Sequence, residues 1–407
     1  MTRSRQKPRA AAPRAAAGRA GAAPTLVARL AAWADAHRQP VVRLTTVLGA
    51  AATVVLTWPL WAPRAAPPNL PLLPLPGVLL GPILLAALAL ALWRPAVGLA
   101  GYVAALAYGV LGDQARLQPQ LLTFAFLLAA TLPGRAGLTL ARWHLVVLWF
   151  YAGLHKLLSV DFMAQTDTYM MRELVGLPSP LARAVFPWLV VATEMGAALL
   201  AALPRTRPLA ALAAVLLHLG ILLMLGRAGY NASVWPWNVV CAVAAVMLIL
   251  PWRRSLREEW RAASRPLRAA LVAMAVYPLG FYAGLTDAYT SWSLYAANAP
   301  RGLVCDLSTA LPPPRPGLVD EYTYNHRDGT FRCRRIELVE AVGAPLPPIH
   351  RLFRDYFRRT CADGEFLLIH ERRRGFRDPE SAEQAYFCAD ERASRTGMFS
   401  PAGGAPG

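Results

Sequence analysis

Nine apolar segments follow one another through the first two thirds of the chain, and most of them are long enough to cross a lipid bilayer. A hydrocarbon core about 30 Å thick requires about 20 apolar residues in a helix. The segments cover residues 42–61, 72–93, 96–112, 118–133, 141–160, 186–203, 208–226, 234–251 and 269–286. We therefore predict an all-α polytopic membrane bundle of about nine transmembrane helices.

The charge and composition of the chain are more typical of a membrane protein than of a nucleic-acid-binding protein. The net charge is +18, yet 56% of the residues are hydrophobic and only 16% are charged. The N-terminal tail and the loops on its side of the bundle hold 19 Lys and Arg residues, whereas the opposite loops hold five. Basic loops stay in the cytoplasm. The count predicts a multi-pass cell-membrane protein with its N-terminus inside, its C-terminal domain outside, and the lipid bilayer as its main partner.

Composition divides the chain into four regions. The first is rich in Arg, Ala and Pro and has no apolar core, so we predict a disordered tail rather than a signal peptide. The last is rich in Gly and Pro. The predicted regions are a basic cytoplasmic tail (1–40), a transmembrane bundle (41–287), an extracytoplasmic α+β domain (288–395) and a flexible tail (396–407).

Residues 288–395, called the C-terminal domain below, differ in kind from the bundle because they are polar. Residues 330–339 and 365–371 have the composition of strands. Between them, residues 347–360 have helical spacing, with one apolar stripe. The stripe contains Ile349, Leu352, Phe353, Tyr356 and Phe357. The pattern predicts a small domain of mixed helix and strand.

Four of the five cysteines lie in the C-terminal domain, at Cys305, Cys333, Cys361 and Cys388. An even number of cysteines in a small domain outside the cytoplasm indicates two disulfides, with the pairing left open. Their wide spacing does not match zinc ligands, which come in pairs two to four residues apart. We predict no metal site.

A few ionisable side chains interrupt the apolar segments. Lys156 is the only lysine besides Lys7, and Glu194, His218 and His155 lie in the same or later segments. Ionisable groups inside a membrane are costly and commonly mark a functional site. We predict these four as catalytic residues, with Lys156 as a base. A purely structural Lys156–Glu194 ion pair is the alternative.

The run at residues 148–157, Leu-Trp-Phe-Tyr-Ala-Gly-Leu-His-Lys-Leu, resembles a signature of the horizontally transferred transmembrane (HTTM) family. This family includes the membrane region of vitamin K-dependent γ-carboxylase and is related to the DoxX and MauE membrane families. The resemblance implies a quinone or hydroquinone cofactor and a lysine base at Lys156. Tyr151 in this run, and Trp237 and Asn238 at a later helix start, are the predicted cofactor-binding residues.

Two functions from different classes remain open. The chain is either a quinone- or lipid-linked membrane enzyme, carboxylase-like or an oxidoreductase, or a non-enzymatic scaffold, maturation factor or small-solute transporter. In the second case the C-terminal domain would bind a protein partner outside the cytoplasm. Whether Lys156, Glu194 and His218 line one cavity distinguishes the two hypotheses best, because an active site requires them to meet. The sequence makes no prediction of the oligomeric state.

Overall fold

The architecture comes from a computed structural model and is mostly helical, with one sheet near the C-terminus. It describes residues 25–164, 180–296, 298–308, 310–326, 329–372 and 381–391. The flexible tail predicted at 396–407 lies outside these ranges.

Helices form the bundle in chain order, and prolines open several of them, at positions where no backbone N–H is needed. The long helices are α1 (Leu26–Leu56), α2 (Leu80–Trp93), α3 (Pro95–Gly112), α4 (Pro119–Ala129), α5 (Ala136–Leu158), α7 (Pro180–Ala202), α8 (Arg207–Ala228), α9 (Trp235–Ala244) and α11 (Arg265–Val276). The short helices are α6 (Val160–Ala164) and α10 (Leu256–Ala262). A π-helical turn, Ala245–Ile249, extends α9.

Five helical stretches in the described part of the chain are long and apolar enough to cross a membrane, by length and composition. They are Leu26–Leu56, Pro95–Gly112, Ala184–Ala202, Arg207–Ala228 and Ala232–Ile249. The apolar helices α2 and α4 are shorter. The 23 residues of α5 include Arg142, His144, His155 and Lys156, which lower its hydropathy. The prediction of nine spans is therefore not confirmed.

Several segment boundaries differ from the sequence prediction; helix α11, for example, covers Arg265–Val276 rather than residues 269–286, because the chain continues as a short 3-10 helix, Tyr277–Phe281. Helix α1 begins at Leu26, within the segment predicted as a disordered tail, and Thr25 caps it by accepting a hydrogen bond from the Ala28 N–H. Helix α2 begins at Leu80 rather than near residue 72. Three prolines at 71, 74 and 76 explain the later start, because proline lacks the backbone N–H that a helix interior requires.

The C-terminal domain contains a five-stranded antiparallel sheet, which confirms the predicted small domain of helix and strand. Its strands are β1 (Arg301–Asp306), β2 (Leu318–His326), β3 (Gly329–Ile336), β4 (Glu365–Arg372) and β5 (Ser381–Phe387), in the order β2-β3-β1-β4-β5. Helices α12 (Val339–Val342) and α13 (His350–Thr360) lie between β3 and β4. All five residues of the predicted apolar stripe are buried, so the stripe forms the core side of α13.

Both predicted disulfides are present. Cys305 and Cys333 face each other on the neighbouring strands β1 and β3. Cys361, at the end of α13, bonds to Cys388, just after β5. The first bridge joins two strands inside the sheet, and the second ties α13 to an edge of the sheet.

The C-terminal domain is held against the loop end of the bundle. The Gln118 side chain donates to the carbonyl oxygen of Pro345 (2.8 Å), and the Arg351 guanidinium contacts both Asp287 oxygens at 2.8 and 2.9 Å. Gly343 adopts a positive φ of 76° beside the end of α1. A Cβ atom there would lie 2.6 Å from the carbonyl oxygen of Leu56, so only glycine permits this approach.

Candidate functional site

Lys156 and Glu194 form an ion pair inside the bundle. Lys156 Nζ lies 2.9 Å from Glu194 Oε1 and 3.0 Å from Oε2, and 3.4 Å from the carbonyl oxygen of Ala152. Each residue is only 5% exposed. The three N–H groups of a lysine ammonium therefore have three acceptors, which satisfies a buried charge as fully as its geometry allows.

Small residues bring the two helices of this pair together. A Cβ atom on Gly153 would lie 2.6 Å from Met195 Cγ and 3.1 Å from Glu194 Cβ. On the opposing α7 helix, Ala197 and Ala198 are buried. Small residues at a helix interface allow close backbone approach in a membrane. The close approach of α5 and α7 is what places the Glu194 carboxylate within reach of Lys156.

His218 lies in a hydrogen-bonded chain that crosses three helices. Trp149 Nε1–H, on α5, donates to His218 Nε2 on α8 (3.1 Å). His218 Nδ1 is 2.8 Å from Asn238 Oδ1 on α9, and the Asn238 amide donates to the carbonyl oxygen of Val234. An indole N–H can only donate, so Nε2 accepts and Nδ1 carries the proton. These hydrogen bonds fix one tautomer of His218.

A cavity of about 500 Å³ lies between α5, α7, α8 and α9. It brings together five predicted site residues, Lys156, Glu194, His218, Trp237 and Asn238. Apolar side chains form most of the remaining wall, including Leu148, Phe162, Phe186, Val190, Leu217, Ile221 and Met224. We call this space the membrane cavity. It combines an apolar interior with a few fixed polar groups, as small-molecule sites do.

The other two predicted site residues face elsewhere. His155 Nε2 donates to the carbonyl oxygen of Ser291 (2.9 Å), and its Nδ1 accepts from the Tyr282 hydroxyl (2.8 Å). The Tyr151 hydroxyl donates to the carbonyl oxygen of Ala275, at the end of α11. Neither residue is part of the membrane cavity wall. Both residues lie on a different face of α5 from Lys156. Their hydrogen bonds connect α5 to α11 and to the segment that follows α11.

Trp149 was not predicted from the sequence, although it lines the cavity and holds His218. Trp149 and Lys156 are seven residues apart, which places both on one face of α5. That spacing is the signal that could have identified Trp149. Apart from this spacing, the sequence does not distinguish Trp149 from the other tryptophans, of which the chain has 12 in all.

A second, more polar space of about 710 Å³ adjoins the membrane cavity, and we call it the vestibule. It lies between the bundle and the C-terminal domain, and its charged lining residues are Asp161, Arg301, Asp320, Arg335 and Glu337. Leu225 and Tyr295 line both spaces. The Asn231 amide donates to the Tyr295 hydroxyl (2.8 Å), and both residues have positive φ. Non-glycine residues in this conformation are uncommon and cluster at functional sites.

Glu337 is an acidic residue of the vestibule whose pKa is shifted by its surroundings. Burial raises the pKa of its carboxyl group, and the Arg335 guanidinium and the backbone N–H groups of Leu338 and Val339 oppose the shift. Desolvation disfavours the charged form of a carboxyl group. The vestibule therefore has a titratable acid at the boundary between the two parts of the molecule.

Comparison with known proteins gives one match, and it falls on this site. Residues 134–236 match the family described as methylamine utilisation protein MauE. This range runs from the start of α5 to the first turn of α9 and includes Lys156, Glu194 and His218. No curated protein and no solved structure matches the chain. The match supports similarity to MauE, one of the related families suggested by residues 148–157, and does not extend to the HTTM family or to γ-carboxylase.

Proposed function

We propose that this membrane protein binds a quinone or a related lipid in the membrane cavity and exchanges a proton with it through Lys156 and Glu194. The observation that carries the proposal is the position of this ion pair in the wall of an otherwise apolar cavity of about 500 Å³. An isolated ion pair that only held two helices together would not require a cavity beside it.

Side chains on the outside of the bundle support access from the bilayer. Leu189 on α7 and Leu216 on α8 line the cavity, yet they are 59% and 58% exposed on the surface of the bundle. The cavity therefore extends to the outer surface between α7 and α8. An apolar ligand dissolved in the hydrocarbon can enter there without crossing water.

The proton chemistry depends on both members of the pair. Lysine acts as a base only as a neutral amine. Transfer of one proton from Lys156 to Glu194 gives an amine and a carboxylic acid without changing the net charge. The amine can then accept a proton from a ligand hydroxyl, which leaves a ligand oxyanion beside a lysine ammonium. His218 is fixed as one tautomer and supplies a stationary dipole to the same cavity.

An always-protonated replacement tests this role. Lys156→Arg keeps a cation for Glu194 but cannot give up its proton. The probe is 2,3-dimethyl-1,4-naphthohydroquinone in nanodiscs, oxidised by dissolved dioxygen to the quinone and hydrogen peroxide and followed by quinone absorbance. Because the hydroquinone anion is oxidised faster than the neutral form, wild-type protein should accelerate the reaction over empty nanodiscs by roughly 100-fold, the lower range for general bases.

Lys156→Arg should bind the oxidised quinone as well as wild type does and lose the acceleration. Equal rates for the two proteins would refute the base role of Lys156. Failure of the wild-type protein to bind the quinone would refute the proposed ligand class.

A non-enzymatic maturation factor is the second candidate, and the match of residues 134–236 to methylamine utilisation protein MauE fits it equally well. In this case the C-terminal domain would recognise a protein partner, and the ion pair would be structural. A partner that co-purifies equally with wild type and Lys156→Arg, while neither accelerates hydroquinone oxidation, would support this candidate over the first.

We further propose that the N-terminus is cytoplasmic and the C-terminal domain extracytoplasmic. The uneven loop charge and the two disulfides support this orientation. In intact cells, a membrane-impermeant maleimide should label Arg332→Cys, whose native side chain is exposed on β3, and should not label Arg29→Cys in α1 until the cells are lysed. Labelling of Arg29→Cys alone in intact cells would reverse the assignment.

A further inference from the structure

Two tryptophans in the first turn of α9 differ in how their indole N–H groups are used. Trp235 Nε1–H donates to the carbonyl oxygen of Tyr230 (3.3 Å). Trp237 Nε1 has no acceptor among the residues that the structure describes. Trp237 is only 5% exposed, and it lines the membrane cavity, whereas Trp235 does not.

An unmade hydrogen bond of this kind is expensive. A buried donor without an acceptor has lost its hydrogen bond to water and gained none in return, and most buried polar groups in folded proteins are paired. Phenylalanine would fill much of the same volume without that cost. An unpartnered indole N–H on a residue that lines a cavity is therefore best explained by an acceptor atom that enters the cavity.

Three other donor side chains of the cavity wall, those of Lys156, Trp149 and Thr193, already have acceptors within the protein. Lys156 has the two Glu194 oxygens and the Ala152 carbonyl, and Trp149 has His218. The Thr193 hydroxyl donates to the carbonyl oxygen of Leu189 (2.7 Å). These bonds lie within the protein and need no ligand. The Trp237 N–H differs because no described protein atom accepts a hydrogen bond from it.

We infer that Trp237 Nε1–H donates a hydrogen bond to an acceptor oxygen of the molecule bound in the membrane cavity. The ligand class is an apolar molecule that bears a carbonyl or similar oxygen, because the rest of the wall is mostly apolar. This inference rests on the proposed occupancy of the cavity. Under this inference, the Trp237 N–H is the group by which the cavity distinguishes an oxygen-bearing ligand from a hydrocarbon of the same shape.

The test uses two probes that differ in carbonyl oxygens, 2,3-dimethyl-1,4-naphthoquinone and 2,3-dimethylnaphthalene. Binding is measured by equilibrium dialysis against protein in nanodiscs, with empty nanodiscs as the blank. The variant is Trp237→Phe, which removes the N–H and keeps an aromatic ring. Trp235→Phe is the matched control, because its N–H already has an acceptor outside the cavity. Melting temperatures of all proteins are recorded beside the binding data.

Trp237→Phe should weaken binding of the quinone by about tenfold, the change that a net hydrogen bond of about 1.4 kcal/mol produces. Binding of the hydrocarbon should stay unchanged, and Trp235→Phe should leave both affinities unchanged. Equal quinone affinity in wild type and Trp237→Phe, or an equal loss for both probes, would overturn the inference while the proposed function stands. If wild-type protein binds neither probe, the proposed function fails first and the inference with it.

Discussion

The two charges of the membrane cavity, Lys156 and Glu194, depend on each other. Moving either ion out of water costs several kcal/mol, and only their mutual attraction and hydrogen bonds offset that cost. Both residues are nearly fully buried, and their shortest contact is 2.9 Å. Each side chain is therefore tolerated in the bundle because the other is present.

This dependence predicts a non-additive set of stabilities. Lys156→Met and Glu194→Leu should each destabilise the protein by about 3–5 kcal/mol, because each leaves one buried charge without a partner. The double variant should be closer to wild type than either single variant, since no charge remains. Melting curves in detergent measure all four proteins. Losses that simply add would contradict the account of a mutually dependent pair.

The sequence could indicate some of these residues and not others. An ionisable residue inside an apolar segment is rare enough to be noticed alone. Lys156, Glu194 and His218 are therefore predicted as site residues from the sequence. Trp149 could not be predicted as a partner of His218, since tryptophan is common in apolar helices and the contact spans 69 positions. The spacing on α5 places Tyr151 and His155 on one face and Lys156 on an adjacent face. It could not show which of these two faces lines the cavity.

At the scale of elements, the contact between α5 and α7 positions the ion pair. Gly153 lies at a close approach of the two helices, with Met195 N 3.0 Å from the position that a Cβ atom would occupy. A backbone atom cannot rotate away as a side chain can. The separation of the two helices therefore has little tolerance for added volume at this position.

Gly153→Ala should push α5 away from α7 and destabilise the protein by about 1–3 kcal/mol, the usual effect of overpacking. Gly196→Ala is the control on α7, since a Cβ atom there would meet nothing within 4 Å. The control should be neutral or slightly stabilising, because alanine favours helix more than glycine does. Thermal unfolding of both variants measures the difference, and equal melting temperatures would show that the contact is loose.

Element positions were predicted well where apolar runs are long, and less well at their ends. Each of the nine predicted apolar segments overlaps one long helix of the bundle, because a long continuous apolar run is typical of a helix that can cross a membrane. Boundaries were missed at the starts of α1 and α2, where a cap and prolines decide the start, and at the end of α11. Strands β3 and β4 were predicted close to their observed limits, whereas β1, β2 and β5 were not. Their residues contact partners distant in sequence, and strand formation depends strongly on such context.

For the whole molecule, the close contact at Gly343 holds the C-terminal domain against the end of α1. Gly343→Ala should weaken this docking, since a Cβ atom would lie 2.6 Å from a backbone oxygen. Gly364→Ala is a matched control, because Gly364 also has positive φ but open space around it. Both variants carry roughly 1–2 kcal/mol of backbone strain.

Gly343→Ala should therefore melt at a lower temperature than Gly364→Ala, and limited proteolysis should cleave between the bundle and the C-terminal domain faster. Indistinguishable melting and cleavage would mean that the domain does not depend on this contact for its position.

The ion pair also determines how the membrane cavity responds to voltage. Lys156 and Glu194 together have zero net charge whether the shared proton lies on nitrogen or on oxygen. A transmembrane potential of 100 mV acts with about 2.3 kcal/mol on each elementary charge that moves across it. A neutral ligand that enters this cavity transfers no net charge, so an energised membrane neither drives nor opposes its loading.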